Sequence, residues 1–386
     1  MAHAALLALI YLAFISLGLP DSVLGVAWPA MRITFSEPLQ AAGLVTLVLT
    51  ICSATSGFAS ATVLRLMGVG PVVLASGCLT GFALLGFALA PSFGWILLLA
   101  VPLGLGAGAV DAGLNHFVAD HYSSRHMNWL HGCWGIGATI GPFIMGAALA
   151  GAQGWQAGYR TIASIQLALT VLFLLTLGLW KREHAAPARD ADPDAGRAPR
   201  KPALAWTPWL APALYLVYAT IEVGTGLWAA SILVEHRQMG LPAAGVWVSC
   251  FFGAIMLGRF AVGLVAVRWG NRKLVRVGLV TALAGAVLFS LDGVPGPLSL
   301  AGLILMGLGC APVYPSLMHE TTQRFDAETA RKVIGRQVAF ACLGASLGPA
   351  GLGLLGAAFG LAVIMPAVFL ALVFLLVLNW CLNRVT

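Results

Sequence analysis

From Leu66 to Ser124, 59 residues pass with only two charged side chains, Asp111 and Asp120. Similar uncharged runs recur along the whole chain. A soluble domain carries roughly 25% charged residues. Here only 9% of the 386 residues are charged, and 60% are hydrophobic. Such a chain cannot cover itself with a water-facing surface, so it reads as an integral membrane protein.

About 20 apolar residues cross a bilayer as a helix. Breaks at charges, Pro and Gly predict twelve spans, near 4–30, 39–64, 70–90, 93–118, 129–152, 159–180, 208–234, 243–267, 273–292, 297–319, 333–357 and 360–382. Met1-Ala-His lacks the basic start of a signal peptide, so the first run is expected to be a retained span. Basic residues gather in cytoplasmic loops. With the N-terminus inside, 17 Lys and Arg fall in inner loops and three (Arg32, Arg160 and Arg237) in outer loops, with Arg259 inside a span. This predicts both termini in the cytoplasm of a bacterial-type inner membrane. It also explains the net charge of +7 as topology, with no nucleic-acid partner.

The stretch 181–206, KREHAAPARDADPDAGRAPRKPALAW, is polar and without apolar periodicity. It is expected to be a flexible cytoplasmic linker between a six-helix half at 1–180 and another at 207–386. The halves share sequence. GATIGP at 137–142 matches GASLGP at 344–349, an offset of 207. LGLG at 103–106 matches MGLG at 306–309, an offset of 203. Asp21 to Gly25 resembles Glu222 to Gly226, an offset of 201. Matches at nearly constant offset imply a parallel repeat. Repeats of this kind put substrate near the midplane and work by alternating access.

Twelve spans, a central loop and repeated halves resemble the major facilitator superfamily. The stretch GRFAVGLVAVRWGNRK at 258–273 resembles its loop motif, with Gly258, Gly263, Arg268, Gly270 and Arg272 in register and Arg259 beside them. The partner loop after span two keeps Gly57, Arg65 and Gly68 but lacks the usual Asp and second basic residue. A narrower resemblance is to the fucose permease-like branch of sugar–proton symporters. It rests on GLGAGAVDAGLNHFV at 104–118, MNWLHGCWGIGATIGP at 127–142, GLGCAPVYPS at 307–316 and IGRQVAFACLGASLGP at 334–349. Where that branch has a Gln, this chain has His131. The resemblance implies an all-α membrane fold of two six-helix pseudo-repeat halves and proton-coupled sugar transport.

A charge at mid-bilayer costs about 2.5–3.5 kcal/mol on insertion scales. Asp21, Asp111 and Glu222 are therefore the candidate proton-coupling acids. Asp111 and Asn115 are i and i+4 and share a helix face. A carboxyl there can load and release a proton, while the amide bonds a sugar hydroxyl. The alternative is an Asp that only fixes helix packing. Asp21 follows Pro20 on a broken first helix, facing either a cavity or the outer water. Arg259 either neutralises an acid, snorkels to the cytoplasm or latches neighbouring helices.

His116, His121, His126 and His131 recur every five residues, which turns a helix about 500° and scatters the rings. A metal site is not expected; His131 is either a binding or a structural residue. Trp28, Trp134 and Trp228 either stack on a sugar or pack between helices. Tyr218, Tyr314 and Gln337 complete the candidate substrate residues, with Tyr314 either a cavity phenol or part of a kinked helix. The seven cysteines form no C-x-x-C pair and read as small hydrophobes.

No H-E-x-x-H or Walker-A motif is present. The chain is therefore not expected to be an enzyme or to bind a cofactor, and transport is expected to run on a gradient. The expected partners are a small solute, protons and the lipid bilayer, around a monomer. Two rival readings stand. One is proton-coupled efflux of a small organic compound, since GATIGP resembles the Gly-Pro signature of drug antiporters. The other is a non-transporting receptor on a transporter fold.

Overall fold

The computed structural model describes residues 2–122, 124–181, 206–291 and 296–386. The expected linker lies outside the described residues but for its two ends, as do the side chains of His116, His121 and Asn128. No strand occurs among the described residues. Fifteen α-helices do: α1 Ala2–Asp21, α2 Val23–Phe35, α3 Ala41–Met67, α4 Val69–Ala88, α5 Phe93–His121, α6 Ser124–Leu149, α7 Gly154–Leu175, α8 Leu177–Lys181, α9 Thr207–Ser231, α10 Leu241–Trp269, α11 Asn271–Ser290, α12 Gly296–Cys310, α13 Val313–Arg324, α14 Ala327–Phe359 and α15 Ile364–Val385. They make twelve passages long and apolar enough to cross a membrane. Each coincides with one of the expected runs. Helices are what the solvent demands, because in hydrocarbon the backbone must satisfy its own hydrogen bonds.

Two passages are broken helices. The first is α1 and α2, interrupted only at Ser22, one residue past Asp21. Pro20 lies within α1 and Pro29 within α2. The Ser22 hydroxyl donates to the Ala138 carbonyl at 2.7 Å, which ties the break to α6. The tenth passage is α12 and α13, interrupted at Ala311 and Pro312. The seventh ends in a π turn at Ile232–His236. Several helices outrun the expected spans: α2 reaches Phe35, α5 reaches His121, and α14 starts at Ala327. Hydropathy marks the bilayer crossing, whereas the helix continues beyond it; at Ala327 the Asp326 carboxylate caps the extra turn by accepting from Thr329 N–H at 2.9 Å.

The described residues form two compact units. One draws on Met1–Arg189 and Ala229–Ser249, the other on Asp190–Trp228 and Cys250–Thr386. Within each, the same glycines meet the same neighbours. A Cβ on Gly137 would overlap the Ile15 carbonyl oxygen, and one on Gly344 would overlap that of Leu216. Gly104 abuts the Leu49 carbonyl as Gly307 abuts that of Phe251. Gly106 lies on the Ser76 carbonyl as Gly309 lies on that of Gly278. Each pair is related by 201–207 residues, so the repeat read from sequence is one of helix–helix contacts. Small residues permit such backbone approach between membrane helices.

Candidate functional site

In the first unit the site starts at the broken passage. Asp21 ends α1, and its Oδ2 accepts from the Trp134 indole N–H on α6 at 2.7 Å. Trp134 is placed there because Gly137 and Gly141 let α6 lie directly on the α1 backbone. On α5, the Asn115 amide donates to Asp111 Oδ1 at 3.0 Å and to the Asp111 carbonyl at 2.9 Å. Both acids keep exposed surface, and among the described residues neither pairs with a Lys or Arg. The expected i, i+4 pair is thus formed. Gly104 and Gly108, on the same helix, spend their openness on α3, where Gly108 abuts the Ser53 carbonyl. His131 sits half-buried, edge-on to Phe14 at 6.0 Å between ring centroids.

In the second unit Glu222 on α9 and Arg259 on α10 are bonded at 3.0 Å, with side chains only 11% and 12% exposed. Of the readings open to Arg259, this structure shows an acid partner. Tyr218, one turn before Glu222, lies beside both charges, and its hydroxyl donates to the Cys310 carbonyl at 3.1 Å. Tyr314 opens α13 just past the break. Its ring meets Tyr215 at 4.8 Å and Tyr218 at 6.2 Å, and Tyr215 donates to its carbonyl at 2.7 Å. Glu222 and Tyr314 stand at the repeat positions of Asp21 and Asp111. The two units therefore use one locus differently: two uncompensated acids in the first, a neutralised ion pair among phenols in the second.

Other candidates make contacts of their own. Trp28 is fully buried against Phe93, its N–H donating to the Leu39 carbonyl at 2.9 Å. Trp228 is fully buried with its N–H on the Pro349 carbonyl at 2.8 Å. Both indoles are engaged in packing. Gln337 is fully buried and donates to Thr321 at 2.9 Å, joining α14 to α13. In the loop motif, Gly258 packs on Ala311, and Gly270 has φ +73°, a left-handed turn into α11 that glycine adopts without strain. A Cβ on Gly263 would touch nothing within 4 Å. Arg268 is exposed, and Arg272 bonds Glu320 at 3.0 Å.

Two arrangements were not anticipated from sequence. Buried Gln166 on α7 accepts from Ser16 and donates to Thr80, both at 2.7 Å, and so ties α1, α4 and α7 together. An amide in mid-span was its signal. The second is the ion pair of Arg32 with Glu235 at 2.6 Å, which no local spacing reveals. Among the described residues no cluster of His, Cys, Asp and Glu is arranged to hold a metal.

Against known proteins, the family described as Major Facilitator Superfamily matches residues 10–349 and again 213–385. The glucose/mannose transporter GlcP of Bacillus subtilis is 27% identical over 242 residues, which cover 59% of this chain and 58% of that protein. The uncharacterized transporter y4wD of Sinorhizobium fredii is 27% identical over 306 residues, 72% of each chain. Among solved structures, a bacterial homologue of the human lysosomal transporter Spinster superposes with a TM-score of 0.77 at 16% identity, over 100% of this chain and 97% of the other. A mutant of the nucleoside transporter NupG gives 0.74 at 14% identity, over 97% and 98%. These structural likenesses carry the fold alone.

Proposed function

The chain belongs to the major facilitator superfamily and is a multi-pass membrane transporter, not an enzyme; from that premise we propose that it carries a sugar, or a similar small neutral polar solute, inward together with protons. The observation that carries the reading is the Asp21–Trp134 and Asp111–Asn115 pair of contacts, with no Lys or Arg on either acid among the described residues. A charged carboxylate within a membrane span is costly, and a proton on it relieves that cost. Protonated Asp111 can donate to a solute oxygen while Asn115 offers both donor and acceptor. Glu222 already neutralises Arg259, so that guanidinium suits a neutral solute better than an anionic one. The relative that transports glucose and mannose supports the same solute class.

The proposed cycle loads a proton on Asp111 from the outer side, binds solute, exchanges access and releases both inside by alternating access. Both termini are proposed to be cytoplasmic, in an inner membrane, with halves at 1–180 and 207–386 around the linker. Efflux is the second reading, resting on the resemblance of GATIGP to an antiporter signature. The glycines of GATIGP and those of GASLGP pack alike on α1 and α9, which favours a packing role for the motif in both repeats and so inward transport. The test is uptake of labelled sugars, sugar acids and nucleosides into proteoliposomes under an inward proton gradient. A neutral sugar is expected to accumulate, and Asp111→Asn is expected to abolish accumulation while leaving solute binding. Gradient-driven uptake that survives Asp111→Asn would remove the carboxyl from coupling.

A further inference from the structure

At the junction of α10 and α11 lies an open cavity of about 440 Å³. It sits where two membrane passages end, Leu241–Ala266 and Asn271–Ser290. Trp269, Arg272, Lys273, Arg276 and Glu320 line it. The lining holds three cations and one carboxylate, and that carboxylate is already spent. Buried Glu320 takes Arg272 at 3.0 Å and Arg324 at 3.1 Å. Lys273 and Arg276 pair with no carboxylate among the described residues. Lys273 instead lies over the Trp269 ring at 5.0 Å.

The start of α11 sharpens the imbalance. Its first turns carry Arg272, Lys273 and Arg276, and Gly270 supplies no side-chain cap. Basic groups at a helix N-terminus oppose the helix dipole, and the first backbone N–H groups are left without helical partners. An anion in the cavity would answer both the cations and those N–H groups. The surface beside it is apolar: Leu264 on α10 and Val277 and Val280 on α11 are exposed by 82%, 43% and 53%. A ligand matching both parts has an anionic phosphate and hydrocarbon chains.

We infer that this cavity binds the phosphate of an anionic phospholipid, with the acyl chains lying on the exposed face of α10 and α11. Nothing in the inference depends on the solute or on proton coupling. Its test titrates the detergent-purified full chain with phosphatidylglycerol, with phosphatidylcholine and with inorganic phosphate, counting bound lipid by native mass spectrometry. Phosphatidylglycerol is expected to bind in preference to phosphatidylcholine. Each basic residue near a membrane surface contributes about a fivefold gain in affinity, so Lys273→Gln with Arg276→Gln should weaken binding about thirtyfold. Arg384→Gln removes one charge from another helix end, where Arg384 lies over Trp380, and should leave binding unchanged. Should the double variant fail to fold, Arg276→Gln alone is expected to lose about fivefold. Equal binding of phosphatidylcholine, or an equal loss in Arg384→Gln, overturns the site. Displacement of the lipid by millimolar inorganic phosphate overturns the lipid as its ligand.

Discussion

Glu222 and Arg259 show how a single contact changes the meaning of an intramembrane acid. An ion pair this buried is costly to halve, because the survivor keeps its charge without its partner; removing one member costs about 3–5 kcal/mol. Glu222→Gln is therefore expected to lower the thermal unfolding midpoint sharply. Glu222→Gln combined with Arg259→Met should recover most of that loss in the same melting assay. Equal midpoints for the single variant and the native chain would mean the pair holds nothing together. A second contrast separates two indoles. Trp134→Phe removes the donor to Asp21 and should depress gradient-driven uptake while leaving the melting curve nearly in place. Trp28→Phe removes a donor to a backbone carbonyl. It should cost about 1 kcal/mol of stability and leave uptake per folded molecule unchanged.

Helices, and the way they meet, were the part most legible in the sequence. Length and hydropathy set the twelve passages because lipid admits no other backbone solution for this chain. The offsets near 203 identified glycines that the fold uses twice, as with Gly137 on Ile15 and Gly344 on Leu216. Legibility stopped at partners distant in sequence. Asp111 and Asn115 were readable together because four residues make one helical turn. Trp134 is 113 residues from Asp21, and Arg259 is 37 from Glu222, so no local period links them. Gln166 and Glu235 likewise bond partners far away in sequence, Thr80 and Arg32. The glycine contacts make a prediction at this scale. Gly137→Ala and Gly344→Ala each force a methyl onto a carbonyl oxygen and should cost about 1–3 kcal/mol through overpacking. Gly263→Ala, with open space around it, should melt like the native chain, although it belongs to the loop motif. A harmless Gly344→Ala would show that α14 and α9 do not rely on this approach.

Across the whole molecule, the repeat supplies one scaffold twice and two different chemistries. Asp21 and Asp111 in the first unit have no basic partner among the described residues. Their counterparts, Glu222 and Tyr314, lie beside Arg259, whose own repeat position, at the offset of 202 that relates Leu49 to Phe251, is Gly57. A compensated pair has little reason to exchange protons with either side of a membrane, whereas uncompensated carboxyls do. Coupling should therefore belong to the first unit alone. Vesicles holding a pH-sensitive dye report solute-driven proton entry, and counterflow of labelled solute reports exchange that needs no gradient. Asp111→Asn should abolish the proton signal and retain counterflow. The double variant Glu222→Gln/Arg259→Met, once its folding is verified by the melting assay, should retain the proton signal even where its solute affinity has fallen. The sign of the response follows from symport: lowering external pH should raise uptake by the native chain and leave Asp111→Asn indifferent. Loss of the proton signal in the double variant, with counterflow intact, would move coupling to the Glu222 site and reverse the assignment of the two repeats.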